Sequence, residues 1–272
     1  MDKAMKRRGL SLAGAVLALA WPLSAAAAEP LLLCYEDQAS YPWLDGRGGG
    51  LDIQLIKHLQ SGLKRELSLH PMPWRRCINM LRQGKMDGAF AASFLPERLQ
   101  WGVYPMLSDG EPDASQRLHS ATYSLYRLKG TTVDWDGARL SSGMAPIGMQ
   151  TDFSIGVFLR KQQVAIDDSN RDPLAILQML RLRRLSGAAL QTPRAEQILH
   201  DHPELAEAIE RCRLPLEEKP YFLILSRQLA YREPGLPGRI WAELERQREA
   251  PAFLAQLRAA GAHREAGGAA RK

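Results

Sequence analysis

Several polar side chains that could bind a small charged molecule stand beside short apolar runs. Glu36 ends one such run and could receive a cationic group, or form a salt bridge within its loop. Asp152 and Ser154 follow another run, where amides and a hydroxyl at a helix start could bind an anion or simply cap the helix. Arg98 carries a guanidinium fork, which binds carboxylates bidentately and keeps its charge. Taken alone, Arg98 is more typical of a surface arginine paired with Glu97.

Three aromatic side chains, Tyr41, Trp43 and Trp74, lie in or next to the loops that follow these runs. Open parallel sheets bind ligands at the carboxyl ends of their strands, so we expect these rings to line the rim of a cleft. An aromatic wall would enclose an apolar or planar part of a solute. Packing in the core is the other explanation for each ring.

Motifs of catalysis are missing from the sequence. It has no Gly-x-Ser-x-Gly elbow and no His-Glu metal helix, and the glycine cluster at 46–50 lacks the Lys-Ser/Thr of a phosphate loop. His200, Asp201 and His202 could bind a metal, although a solvated cluster at a helix end is the simpler reading. We therefore predict no catalytic residue, no metal site and no cofactor.

The N-terminus has the order of features found in secretory signal peptides. Four basic residues at positions 3, 6, 7 and 8 precede an apolar stretch at 10–21, and small residues follow at 24–28. The apolar stretch is too short to span a bilayer comfortably. We predict a signal peptide over 1–28 that is cleaved near Ala28.

Without this segment the chain has 244 residues, and its formal net charge falls from +6 to +3 because four basic residues and Asp2 are removed. A net charge of this size does not indicate a nucleic-acid-binding surface, so we expect no nucleic-acid partner. No later stretch is apolar enough to cross a membrane.

Three cysteines, Cys34, Cys77 and Cys212, follow the predicted signal peptide. An oxidising compartment allows them one disulfide and leaves one thiol. Their spacing matches no zinc motif.

Hydrophobic periodicity predicts alternating strands and helices. Apolar residues at 51, 53, 55, 56, 59 and 63, for example, form one face of a helix. The predicted strands are 31–36, 66–72, 86–92, 120–128, 145–150, 187–191 and 221–226. The predicted helices are 51–63, 74–83, 154–161, 173–183, 192–201, 237–248 and 251–260. This alternation indicates an α/β protein with parallel-rich sheets flanked by helices, arranged as two successive units with a cleft between them.

An ordered set of short motifs resembles the family 3 extracellular solute-binding proteins, the periplasmic receptors typified by polar amino-acid importers. The resemblance covers nearly all of the chain after the signal peptide. It rests on the motifs at 34–37, 41–43, 50–52, 73–77, 84–88, 96–98 and 104–105, followed by 147–150 and 219–222.

The resemblance implies a two-lobed periplasmic-binding-protein type II fold, with lobe one at 29–118 plus 219–272 and lobe two at 119–218. It implies a monomeric, non-enzymatic receptor in the periplasm that closes around a small carboxylate-bearing solute, an amino acid or a related compound. Its partner would be the permease of an ABC importer. A ligand-sensing subunit for a membrane signalling protein is the alternative, and a periplasmic lyase derived from such a receptor is a further one.

The resemblance also assigns site residues. Arg98 falls on the family position that holds the ligand's carboxylate, and Ser93 on one whose hydroxyl touches the ligand. The position that is commonly acidic in receptors for α-amino acids matches Thr192, whose hydroxyl cannot neutralise a buried ammonium. Glu36 or Asp152 could take that role instead. Otherwise the expected ligand is a carboxylate without an α-ammonium.

The fold implied by the resemblance also suggests a disulfide pairing. The second strand would pair beside the first, and a right-handed crossover would carry the second helix over strand one. Cys77 on that helix could then face Cys34, which predicts a Cys34–Cys77 disulfide and a free, buried Cys212.

Overall fold

A computed structural model describes residues 29–260 of the chain. The predicted signal peptide at 1–28 and the end of the predicted first lobe at 261–272 lie outside these residues. Within 29–260, no helix combines the length and the apolar content that crossing a membrane requires.

Eleven strands and nine helices make up the described residues. The strands are β1 Leu31–Glu36, β2 Leu67–Met72, β3 Gly88–Ser93, β4 Gly102–Val103, β5 His119–Leu128, β6 Asp134–Trp135, β7 Leu140–Ser141, β8 Ile147–Gln150, β9 Ile166–Asn170, β10 Gly187–Gln191 and β11 Ile209–Ser226. The helices are α1 Leu51–Leu63, α2 Trp74–Arg82, α3 Ile155–Lys161, α4 Pro173–Arg181, α5 Thr192–Asp201, α6 Pro203–Ala206, α7 Arg227–Arg232, α8 Leu236–Arg248 and α9 Pro251–Ala259. Short 3-10 helices cover Pro96–Gln100 and Ala114–Gln116.

Nine strands form one sheet in the order β2-β1-β3-β11-β5-β10-β8-β9, with β4 paired to β11 beside β3. The strands at its two ends are parallel: β1 pairs with β2 and β3, and β8 pairs with β9 and β10. In the middle, β5 and β11 are antiparallel to each other and to their other neighbours. The molecule is therefore an α/β protein with two parallel-rich sheet regions joined by two antiparallel strands.

Four hydrophobic cores pack against the sheet, two at each end. In β11, Leu223 and Leu225 lie in one core and Phe222 and Ile224 in another, because side chains alternate between the two faces of a strand. We call the cores that contain β1 to β3 the first lobe. The other two cores contain β8 and β10, and we call them the second lobe. The exact boundaries at 118/119 and 218/219 stay a prediction.

Two stretches of strand that were not predicted from the sequence, the first half of β11 and β9, have a composition unfavourable for strands. The first half of β11 contains Pro215 and Pro220 among charged residues, and the pairing register shifts beside Pro215. Proline cannot donate to the sheet, so this stretch has no strand pattern. The strand β9 reads Ile-Asp-Asp-Ser-Asn and lies at the edge of the sheet, where residues depleted in strands are tolerated.

The predicted Cys34–Cys77 disulfide is confirmed, with the two Cα atoms 5.6 Å apart. The helix α2 buries Trp74, Cys77 and Leu81 on one face, and this face packs over β1, where Cys34 lies. Cys212 in β11 is a free, buried thiol. Burial raises its pKa to about 12.

We predict that the folded, unreduced protein has no thiol that reacts with iodoacetamide at pH 8, because the reactive species is the thiolate and Cys212 is buried as a thiol. After unfolding without reductant, one cysteine should be labelled, and peptide mapping should identify it as Cys212. The variant Cys212→Ser should then show no label at all. A labelled Cys34 would contradict the disulfide.

Candidate functional site

A cavity lies between the two lobes, where the strands of both end. The last residues of β1, β3, β8 and β10 are Glu36, Ser93, Gln150 and Gln191, and all four line it. The cavity holds about 570 Å³ of empty space, including its opening to solvent. Its remaining lining residues are Gln38, Ala39, Ser40, Trp43, Leu44, Trp74, Ala91, Arg98, His119, Tyr123, Phe153, Ser154 and Tyr221. Parallel strands from two sheet regions therefore direct their carboxyl ends toward one small space.

Arg98 places a positive charge on this wall. It lies in the 3-10 helix that follows β3 and is only 5% exposed. Its Nη1 donates a hydrogen bond to the carbonyl oxygen of Ser93 at 2.7 Å, and its guanidinium carbon lies 5.4 Å from the centre of the Trp74 ring. Within residues 29–260 it forms no ion pair, neither with Glu97 nor with any other carboxylate. The guanidinium is thus a buried cation that lies over an aromatic ring.

Aromatic rings form the apolar part of the wall. Trp43 stacks on the imidazole of His119 with ring centres 4.0 Å apart, and the other face of that imidazole stacks on Tyr221 at 4.9 Å. The Nδ1 atom of His119 is hydrogen bonded to the Asp52 carboxylate at 2.9 Å, which fixes the ring between its two neighbours. Tyr41, in contrast, is 48% exposed and does not line the cavity.

Neutral polar groups connect the lobes across the cavity. The side-chain oxygen of Gln191 accepts a hydrogen bond from the Ser40 hydroxyl at 2.7 Å, and its amide nitrogen donates to Tyr221 at 2.9 Å. The Tyr221 hydroxyl donates to that of Tyr123 at 3.1 Å. A further hydrogen bond of 2.8 Å joins the hydroxyl of Ser93 in the first lobe to that of Ser154 in the second.

Burial keeps the two phenols uncharged. It raises the pKa of Tyr123 well above its ordinary value and also raises the pKa of Tyr221, while the nearby charge of Arg98 opposes both shifts. Both groups therefore contribute hydroxyls, not negative charge, to the cavity at neutral pH.

Glu36 lines the cavity but is already bound by protein groups. One carboxylate oxygen accepts from the backbone amide of Trp74 at 2.8 Å, and the other accepts from the amide of Gln38 at 3.1 Å and from Arg171 at 3.0 Å. Arg171 also pairs with Asp37, so it links the second lobe to the end of β1. Burial and a hydrogen bond with Asp37 raise the pKa of Glu36, against the amides and Arg171, which lower it.

Two other predicted site residues lie outside the cavity wall. Asp152 forms a salt bridge with Arg75 in a neighbouring groove between the lobes. Thr192 is buried behind the wall, where its hydroxyl is hydrogen bonded to the hydroxyls of Thr122 and Ser124 at 2.9 and 2.8 Å. Whether any predicted residue touches a ligand stays a prediction.

The structure brings five of the predicted residues together on the cavity wall besides Arg98, namely Glu36, Trp43, Trp74, Ser93 and Ser154. The wall also contains residues that were not predicted from the sequence, among them His119, Tyr123, Gln150, Gln191 and Tyr221. A polar residue at the end of a buried strand was an available signal for Gln150 and Gln191, since it is the same pattern that drew attention to Glu36.

We predict that Tyr123 and Tyr221 stay protonated as long as the protein is folded. Their pKa values in the folded state lie above the unfolded value of about 10, so the stability they contribute is complete below pH 10 and is lost as the pH rises further. Absorbance at 295 nm during an alkaline titration measures the ionised phenols. The variant Tyr123→Phe should leave the titration unchanged before unfolding begins, and a smaller native absorbance change would contradict the prediction.

Comparisons with known proteins support the fold. No protein-family model matches the sequence, and no curated protein sequence matches it. Solved structures do match. A histidine kinase sensor domain with similarity to periplasmic binding proteins has a TM-score of 0.65 and 12% identity, covering 85% of this chain and 94% of its own.

Two ligand-binding proteins superpose similarly. The Salmonella typhimurium periplasmic binding protein with high arginine specificity has a TM-score of 0.63 and 17% identity, covering 85% of this chain and 99% of its own. The glutamate-bound ligand-binding core of GluR0 from Nostoc punctiforme has a TM-score of 0.63 and 16% identity, covering 84% and 97%. With its two lobes, its two connecting strands and its cavity between them, the chain has the fold of the family 3 periplasmic solute-binding proteins.

Proposed function

We propose that this protein is a periplasmic receptor that closes around a small carboxylate-bearing solute, an amino acid or a related compound, and presents it to the permease of an ABC importer. The observation that carries the proposal is the buried guanidinium of Arg98 on the cavity wall, with no carboxylate of the described residues to neutralise it.

A ligand carboxylate would satisfy this guanidinium. Moving an unpaired ion out of water costs several kcal/mol even after the protein relaxes, on the order of the stability of a small domain. The Ser93 carbonyl and the Trp74 ring offset part of this cost. A carboxylate bound bidentately supplies the missing charge, and the hydroxyls of Ser93 and Ser154 are placed to bind its polar neighbours.

The two connecting strands support a closing motion. Hydrogen bonds and ion pairs join the lobes around the cavity, and the chain crosses between them in β5 and β11. A ligand that contacts both lobes favours the closed arrangement by its differential affinity for it. We propose lobe boundaries at 118/119 and 218/219 on the same basis, with residues 219–272 completing the first lobe.

The periplasm is the proposed compartment. The signal-peptide pattern at 1–28 supports export, and the Cys34–Cys77 disulfide fits an oxidising environment. We propose that the protein acts there as a monomer without a cofactor.

A ligand-sensing subunit of a membrane signalling protein is the second candidate function. The fold shared with a histidine kinase sensor domain favours it, because both uses depend on the same closure. We propose a binding protein in preference to a lyase, since Thr192, the expected place of a general acid, carries a hydroxyl that other side chains already bind.

The first test is a thermal-shift screen of the protein without its signal peptide against amino acids and organic acids. A ligand at 100 times its Kd stabilises the fold by about 2.7 kcal/mol, which raises the Tm by roughly 5–10 °C for a chain of this size. The variant Arg98→Ala should abolish this shift because it removes the partner of the carboxylate.

Arg82→Ala is the matched control for that variant. The guanidinium of Arg82 also lies 5.4 Å from the centre of a tryptophan ring, that of Trp101, but Arg82 does not line the cavity. The control should keep the full shift. If Arg98→Ala also kept it, the carboxylate would be bound elsewhere and the proposal would fail.

A second prediction concerns closure. Arg171→Gln removes ion pairs that span the lobes, and because Arg171 is part-exposed these contribute about 1 kcal/mol at most. We expect ligand affinity to fall by a factor of about five or less, with a smaller decrease in radius of gyration on ligand addition in small-angle scattering. Arg65→Gln breaks a salt bridge with Glu233 away from the cavity and should change neither quantity. Equal effects of the two variants would contradict a closing role for Arg171.

A further inference from the structure

The positive and the negative side chain on the cavity wall differ in whether the protein already provides an ion-pair partner. Arg98 and Glu36 are its charged side chains, and the His119 ring is turned through Nδ1 toward Asp52, which does not line the cavity. Arg98 has no ion-pair partner within residues 29–260. Glu36 has two backbone amides and Arg171. The wall therefore offers a ligand one positive charge and no unpaired negative charge.

Arg171 is shared between Glu36 and Asp37, so these three side chains keep one net negative charge when both carboxylates are ionised. Of the two carboxylates, only that of Glu36 belongs to the cavity wall, and Arg171 and two backbone amides already bind it. Asp37 is absent from the cavity wall and its side chain is about one-third exposed to solvent, whereas the Glu36 side chain is 14% exposed. Asp37 is therefore the carboxylate of this pair that solvent reaches more easily.

The wall around Gln191 is neutral. The residue is 7% exposed, its amide is held by the Ser40 and Tyr221 hydroxyls, and Tyr221 continues the chain to Tyr123. Burial raises the pKa values of both phenols, so neither can supply a counter-charge at neutral pH. An amide and two phenols can bind a hydroxyl or a carbonyl group, but they cannot neutralise an ammonium.

We propose that the site takes small monocarboxylates that carry a hydroxyl or carbonyl group and no ammonium, the hydroxy and oxo acids, and that Gln191 is the residue that excludes α-amino acids. This inference rests on the proposed function and specifies its ligand class. The carboxylate neutralises Arg98, and the second polar group meets the neutral hydrogen-bonding wall. An α-ammonium would be buried there without a counter-charge.

The test compares acids that differ only in the ammonium group. Isothermal titration calorimetry at pH 7 would measure L-lactate and pyruvate against L-alanine, and L-phenyllactate against L-phenylalanine. In at least one of these sets the deaminated acid should bind, and it should bind roughly tenfold tighter than its amino acid or better.

Gln191→Glu tests the residue assigned to this selectivity. A carboxylate at position 191 adds a negative charge to the wall, so the variant should lose affinity for the hydroxy or oxo acid and gain it for the matching amino acid. Gln197→Glu adds the same charge on α5 outside the cavity and should behave as the unmodified protein does. If Gln191→Glu does not fold, the comparison of ligand pairs on the unmodified protein decides alone.

The outcomes separate this inference from the proposed function. If the amino acids bind as tightly as the deaminated acids and Arg98→Ala abolishes both, the ligand class is wrong and the carboxylate receptor stands. If Glu36→Gln then removes amino-acid binding, Glu36 is the ammonium partner. If no acid of either kind binds, or binding survives Arg98→Ala, the proposed function fails and the inference fails with it.

Discussion

A cation buried between two lobes, which forms no ion pair with a carboxylate of the described chain, is the constraint around which the rest of the site is arranged. The guanidinium of Arg98 is held by the Ser93 carbonyl on one side and faces the Trp74 ring on the other. Neither contact removes its charge. Its charge acts on three buried phenols, those of Tyr104, Tyr123 and Tyr221, and burial raises their pKa values and keeps them neutral. The positive charge of Arg98 therefore remains available to pair with an anion that enters the cavity.

The ends of four strands position the polar residues around this charge. The strands β1 and β3 of the first lobe and β8 and β10 of the second all terminate at the cavity, so one polar residue from each reaches it. Because β5 and β11 are continuous between the lobes, Tyr123 and Tyr221 form a wall that belongs to both. The proposed closure would then change the distances between the strand ends while this wall stays in place.

Much of the fold and part of the site could be predicted from the sequence. The bounds of β1, α1, β10 and α5 match the predicted ranges because their apolar periodicity is regular. The first half of β11 could not be predicted, since tertiary pairing with β5 overrides two prolines and a run of charges. Arg98 and Trp74 were found on the cavity wall, whereas Tyr41 projects into solvent. Tyr41 lies in a loop, where the sequence has no regular repeat of apolar residues that would predict whether a side chain points inward or outward.

The difference between Gln191 and Thr192 shows that a motif comparison does not predict which of two adjacent residues lines the cavity. The two residues are adjacent at the junction of β10 and α5, yet Gln191 lines the cavity and Thr192 binds the hydroxyls of Thr122 and Ser124 behind it. Because successive side chains of a strand point to opposite faces, a shift of one position in a motif comparison exchanges the wall residue for a buried neighbour. Both side chains are neutral, so the conclusion that this position brings no carboxylate to the wall survives this shift. The shift does change which hydrogen-bonding groups a ligand would meet. A threonine on the wall would offer one hydroxyl. The Gln191 amide, which is held between Ser40 and Tyr221, offers a fixed donor and a fixed acceptor to the polar group that accompanies the ligand's carboxylate.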